Sequence, residues 1–345
     1  MRVENVLHFP RHGKVAPIRK VATMLSWLLA AALLLLCATP ALGQSVDCCG
    51  LRPQDQFVVL SSRNAGCTTD AERLANGLRY STLEVVDESG CRRWRRGDVS
   101  EFFAWHEPGV PTIVFFHGNQ VASNEAAGEG LLVYRALVRS AADERPIRFV
   151  TWSWPSEKTG GPLRDAREKA ARTCPIAWQT AWVLDQLPPD LQVSLLGYSF
   201  GARVATGAAH LLAGGELSGR LLEARANPER PPMRAVFLAA ALHSHWLCEG
   251  QCHGRAMQQI DRLFLVNNPR DPAMRFYHLS ATSGKPQALG LCGPTCVDAE
   301  SASQIHQVNA SGYVGKNHDL ALYVCSRQVM ALAWEYLTFE EGEGM

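Results

Sequence analysis

The pentapeptide Gly197-Tyr198-Ser199-Phe200-Gly201 joins two segments of different periodicity. Before it, Leu191 to Leu196 is short and apolar and reads as a buried strand. After it, the Ala-rich run Ala202 to Leu212 reads as a helix. A strand that becomes a helix within so few residues needs a sharp corner, and a glycine on either side leaves room for one. Gly-x-Ser-x-Gly arises by chance in roughly one chain in seven of this composition, so the flanking strand and helix give it its weight. In that setting Ser199 stands out at the carboxyl edge of a sheet, beside the N–H of Phe200 at a helix start. The bland alternative is a buried structural serine.

The rest of the chain alternates in the same way. Gln56 to Ser61, Thr112 to Phe116, Ile147 to Trp152, Gln192 to Leu196, Arg234 to Leu242 and Arg262 to Val266 read as strands, mostly apolar throughout. Tyr80 to Asp87 alternates and predicts an antiparallel edge strand; Ile305 to Val308 is a weak last strand. Helices are predicted over 121–142, over 163–187 with Pro175 beginning or kinking it, and over 319–337. Strands alternating with helices describe an α/β protein with a mostly parallel sheet covered on both faces. No repeat or internal boundary divides residues 44–345, which read as one domain.

The N-terminus reads differently. Basic residues ending at Arg19-Lys20 precede an uncharged run from Val21 to Gly43, and Ala41-Leu42-Gly43 offers small residues where a signal peptidase cuts. Residues 1–43 are therefore expected to be an export signal, with a membrane anchor over 21–43 as the alternative, since the run is long enough to span a bilayer. Without these residues the net charge falls from +1 to about −3, and nothing points to nucleic acid. Ten cysteines remain, an even number that in an exported chain implies disulfides. Cys248-x-x-x-Cys252 and Cys292-x-x-x-Cys296, with His253 adjacent, keep a zinc site open as an alternative, although export favours disulfides that staple the loops around Asp271.

A serine hydroxyl is a weak nucleophile near neutral pH and needs a base, which in turn needs an orienting acid. Asp271 follows the strand 262–266 on a turn, where such an acid belongs; Asp298 and Asp261 are rivals. His318, in Gly315-Lys316-Asn317-His318-Asp319 between the last strand and the closing helix, is the expected base, with His306 as runner-up. The developing oxyanion needs N–H donors, expected from Phe200 and from Gly118 or Asn119, which follow a buried strand; His117 is expected to brace that loop.

These residues resemble the α/β-hydrolase superfamily over about Gln56 to Leu337, through His117-Gly118-Asn119, the Gly197–Gly201 corner and the order Ser199, Asp271, His318. Ser153-Trp154-Pro155-Ser156 resembles a narrower bacterial branch with that motif after the fourth strand, which implies that Trp154 lines the pocket. Tyr198 is a further candidate substrate contact. The resemblance implies an exported serine esterase, needing no cofactor or metal and acting on a small-molecule or lipid-like ester. Membrane contact is expected only if the N-terminal segment is retained. A catalytically dead binding module and an anchored envelope protein are the alternatives.

Overall fold

The structure, a computed structural model, describes residues 50–85, 92–223, 225–280 and 284–340. The expected export signal at 1–43 lies outside them, as do Cys48, Cys49 and Cys91. No described helix is long and apolar enough to cross a membrane.

Nine strands build one sheet: β1 (Gln56–Ser61), β2 (Arg79–Val85), β3 (Arg92–Gly97), β4 (Thr112–Phe116), β5 (Arg148–Ser153), β6 (Val193–Tyr198), β7 (Met233–Leu238), β8 (Ile260–Asn267) and β9 (Ile305–Asn309). Their spatial order is β3-β2-β1-β5-β4-β6-β7-β8-β9. β2 pairs antiparallel with β1 and β3, and every other neighbour is parallel. Every residue of β4, β5, β6 and β7 is buried, as mostly apolar strands covered on both faces should be.

The principal helices are α1 (Ala71–Gly77), α2 (Val99–Ala104), α3 (Ala126–Val138), α4 (Pro162–Gln186), α5 (Phe200–Leu212) and α6 (Arg327–Leu337). α4 packs on α5, and α3 packs on α6, which gives the sheet its two covering layers. From β4 the chain moves outward to β5, then crosses back to lay β6 on the other flank of β4. That reversal opens a crevice above the carboxyl ends of β4 and β6, which are level because Gly197 pairs with Phe116.

Several elements differ from expectation for local reasons. β2 is not the edge: β3, Arg-Arg-Trp-Arg-Arg-Gly, lies outside it. Its arginines hide the strand pattern, yet Trp94 meets Phe57 edge-on at 6.0 Å, and Arg95 pairs with Glu84 and Glu101. α3 begins at Ala126 rather than Val121, because the preceding loop is tied across to β5's exit by the Gln120 N–H bond to Ser156 O at 2.8 Å. α4 runs through Pro175, which removes one intrahelical bond without ending the helix. The closing helix is broken: Asp319 caps a turn over Leu320–Tyr323, and Ser326 caps α6 separately, each accepting from N–H groups of its own first turn.

Among the described cysteines only Cys248 and Cys296 are bonded, 48 residues apart, while Cys67, Cys174, Cys252, Cys292 and Cys325 are thiols. That bond takes up two of the four sulfurs a zinc site would need, and His253 is engaged elsewhere, 2.8 Å from the Thr206 hydroxyl. Among the described residues no group of three or more His, Cys, Asp or Glu is placed to hold a metal ion. The bridge closes a loop that contains β8 and Asp271. On chain-entropy grounds a loop of this length stabilises by roughly 4 kcal/mol. The double variant Cys248→Ser/Cys296→Ser should therefore show a lower urea midpoint, with a loss of roughly 3–4 kcal/mol.

Candidate active site

β6 delivers Tyr198 to the crevice and α5 starts at Phe200, so Ser199 alone makes the corner. Its backbone has φ 53° and ψ −119°, a region that costs a non-glycine residue about 1–3 kcal/mol. Three backbone bonds hold it there. The Ser199 N–H donates to Leu238 O at 3.0 Å, and Ser199 O accepts from Ala241 at 3.0 Å and Ala202 at 3.2 Å. The two glycines are required by close approach. A Cβ at Gly197 would lie 2.5 Å from Ala202 Cα, and one at Gly201 2.0 Å from Phe116 O.

Asp271 sits four residues beyond β8, where it caps the helical turn Pro272–Arg275. Its side chain is fully buried. Oδ1 accepts from the N–H groups of Ala273 at 2.8 Å and Met274 at 3.3 Å. Oδ2 accepts from His318 Nδ1 and from the Tyr323 hydroxyl, each at 2.7 Å. With Nδ1–H committed to a carboxylate, His318 Nε2 is left as an acceptor. The Ser199 hydroxyl lies 3.0 Å from it. Serine after β6, carboxylate after β8 and imidazole after β9 thus meet in one chain of hydrogen bonds at the sheet's carboxyl edge. This is the α/β-hydrolase fold.

The comparisons with known proteins are looser. No family model matches the sequence, and no curated protein matches it. Among solved structures, Zea mays acyl-protein thioesterase 2 is 16% identical, with 68% of this chain and 94% of that one covered and a TM-score of 0.38. The catalytic core of an acetyl xylan esterase from Trichoderma reesei is 16% identical, covering 67% and 97%, with a TM-score of 0.34. Esterase B from Lactobacillus rhamnosis is 12% identical, covering 93% and 96%, with a TM-score of 0.37. At such distances their substrates are theirs; the fold here is read from strand order and the corner.

The other expected residues fall as follows. Gly118 lies against the corner: a Cβ there would sit 3.0 Å from the Tyr198 ring and 3.5 Å from Ser199 Cβ. Phe200 opens α5, so its N–H has no acceptor within the helix. Ser199, Phe200, Asn119, Tyr198 and His318 all line one cavity of about 610 Å³. The Tyr198 ring also stacks on His318, centroids 5.2 Å apart and planes 25° apart. Burial, then the nearby Asp271, Glu129 and Asp319 charges, push its phenol well above the ordinary range and keep it neutral. Trp154 is not at the cavity. It is fully buried, stacks on His117 at 5.6 Å, and donates through Nε1 to His117 O at 3.0 Å. His117 accepts from the Trp154 N–H at Nε2, 3.3 Å away, and burial pulls its pKa down to about 3. It braces the loop as a neutral ring. Of the rivals, Asp298 caps the helical turn Ala299–Ser303, and His306 packs on Phe264 and Tyr336.

Three features escaped the sequence reading. Tyr323, one turn past His318, donates to Asp271; burial and that bond raise its phenol pKa and keep it a donor. Glu129 lines the cavity from α3, its carboxyl pushed up to about 7 by burial and then by Glu125 and Asp319. The third is an ion pair with both side chains fully buried, Asp165 with Lys169 at 3.0 Å. Asp165 also accepts from Asn119 Nδ2 at 2.8 Å, Gln120 Nε2 at 3.1 Å and the Thr159 N–H at 2.8 Å. Burial alone would raise its pKa, but these donors and Lys169 hold it well below the usual carboxylate range. The pair pins Asn119 and Gln120 beside Ser199. In sequence it is only an i,i+4 pair, a spacing that usually marks a solvated helix face. Lys169→Met should leave Asp165 buried and unpaired and cost about 3–5 kcal/mol in chemical denaturation, whereas Asp165→Asn/Lys169→Met should recover part of that loss.

Proposed function

We propose that this chain is an exported serine hydrolase that cleaves a carboxylic ester through an acyl-enzyme on Ser199. The observation that carries the reading is the continuous relay from Asp271 through His318 to the Ser199 hydroxyl, with links of 2.7 and 3.0 Å. His318 Nε2 takes the hydroxyl proton as Ser199 Oγ attacks the carbonyl, and it then passes that proton to the leaving alcohol. Asp271, fixed by two backbone N–H groups and Tyr323, orients His318 and stabilises the imidazolium as it forms. The N–H groups of Phe200 and of Gly118 or Asn119 hold the oxyanion. Water, deprotonated by the same imidazole, releases the acid. The scheme uses only this chain's own groups and water. Export rests on the basic-then-apolar composition of residues 1–43 and on the Cys248–Cys296 bridge.

A fluorophosphonate probe should label the folded protein once, on Ser199, and Ser199→Ala should abolish labelling and lower kcat toward a p-nitrophenyl ester by about 10,000-fold or more. A folded wild type that takes no label would sink the reading. Tyr323→Phe removes one donor from a charged acceptor. It should lower kcat roughly tenfold with KM little changed, because it touches Asp271 and not the substrate.

A further inference from the structure

Five large hydrophobic side chains stand exposed among the described residues, and four of them, Leu132, Leu163, Phe276 and Leu279, line the cavity beside Ser199. Phe276 is 62% exposed and Leu163 50%. Scattered exposed apolar residues mean little, but a group gathered at one opening marks a surface kept for an apolar partner. These four come from three separate segments, α3, the start of α4 and the stretch after Asp271. Met274, which is buried, belongs to the same apolar wall, and Ser199 and His318 line the same cavity.

The charges of the wall point the same way. The ionisable side chains that line it, apart from His318 and tyrosines, are Glu129 and Asp319; among the described lining residues there is no lysine or arginine. An anionic chain would meet two carboxyl groups on the wall, while the guanidiniums beside it already donate elsewhere, Arg167 to Leu279 O at 3.1 Å and Arg203 to the Tyr277 hydroxyl at 3.5 Å, so burying it there would be costly. The volume, about 610 Å³, falls within the range of cavities that take small organic ligands.

We infer that the cavity holds an apolar, uncharged chain of six or more carbons belonging to the ester cleaved at Ser199. The chain runs outward from the carbonyl over Met274 to the rim formed by Leu163, Phe276 and Leu279. This rests on the serine-hydrolase reading for the bond cleaved, while the apolar chain site stands on the cavity itself.

Each buried methylene should raise kcat/KM roughly threefold to fourfold. The test uses two series: p-nitrophenyl esters of two- to ten-carbon acids, and acetate esters of two- to ten-carbon alcohols. One series should climb at that rate to at least eight carbons, and which one climbs shows whether the acid or the alcohol carries the chain. Leu163→Asp and Phe276→Asp, both at exposed positions, should cut the eight-to-two-carbon ratio in that series at least tenfold. In the series that climbs, a terminal carboxylate should slow the six-carbon ester at least tenfold (the p-nitrophenyl half-ester of adipic acid against the hexanoate for the acid, 6-acetoxyhexanoate against hexyl acetate for the alcohol), and Glu129→Gln should narrow that gap. Flat profiles in both series, from a protein whose Ser199 takes the fluorophosphonate label, would overturn the inference, and a carboxylate-ended ester as fast as its uncharged counterpart in the climbing series would overturn its uncharged part. If Ser199 takes no label, the serine reading fails separately. Calorimetric binding of N-octylacetamide against N-ethylacetamide then decides the chain site: at least thirtyfold tighter binding of the octyl compound upholds it, and equal binding overturns it.

Discussion

The backbone of Ser199 is the constraint from which the rest of the site follows. A residue with a side chain at φ 53° and ψ −119° leaves that conformation unless its surroundings over-determine it. Here β7 and the residues just after it do so directly: Leu238 O accepts the Ser199 N–H, and the Ala241 N–H donates back to Ser199 O. Gly197 and Gly201 let α5 and the end of β4 come closer to the corner than any side chain there would allow. Strain of about 1–3 kcal/mol is thus offset by ordinary backbone bonding to the β7 side and to the first turn of α5. What the strain secures is position: the hydroxyl projects above the sheet edge while the backbone beneath it stays in register.

Two buried carboxylates serve that position in different ways. Asp271 sits among donors on every side, and one of them is the imidazole that faces Ser199. Asp165 is paired with a buried ammonium and has no bond to the relay; it fixes the loop that faces Ser199 from the β4 side. Such a pair adds little net stability over apolar packing of the same shape, since desolvation nearly cancels attraction. Its place beside the corner fits a role in specifying one loop conformation instead. Both carboxylates lie just past a strand end or in the first turn of a helix, where backbone N–H groups are unpaired and favour negative charge.

The corner, the order of the three relay residues and the layered sheet were legible in sequence because each has a local signature. Glycines flank a strand-to-helix switch at Ser199, an aspartate lies on a proline-bounded turn after a strand, and a histidine precedes a closing helix. Asp271 both caps its turn and bonds His318, with one oxygen for each. What stayed hidden depends on the third dimension. β3 is rich in arginine because it is an outer strand whose charges face solvent and neighbouring acids, so alternation of apolar residues is absent. Tyr323 and Lys169 are ordinary helical residues until the fold brings acids to them. Trp154 was placed by motif at the pocket, but its indole N–H found a carbonyl on His117, and a large ring with a satisfied donor is most stable buried.

Exposure rises along the relay from acid to base. The Asp271 side chain is fully buried and that of His318 is 23% exposed. The order matters physically. A carboxylate that holds an imidazole in place needs donors of its own and distance from water, which would otherwise compete for its lone pairs. In the reaction proposed above, an imidazole that hands a proton first to a departing alcohol and then takes one from water needs an open side. The apolar rim borders the same cavity as His318, contributed partly by the segment that follows Asp271. Acid and rim therefore share one stretch of chain, Asp271 to Leu279: its first residue caps a turn inward toward the imidazole, and Phe276 and Leu279 face outward. A shift of this stretch would disturb the relay and the mouth of the cavity together, so the two cannot be altered independently by moving the loop, only by replacing side chains upon it.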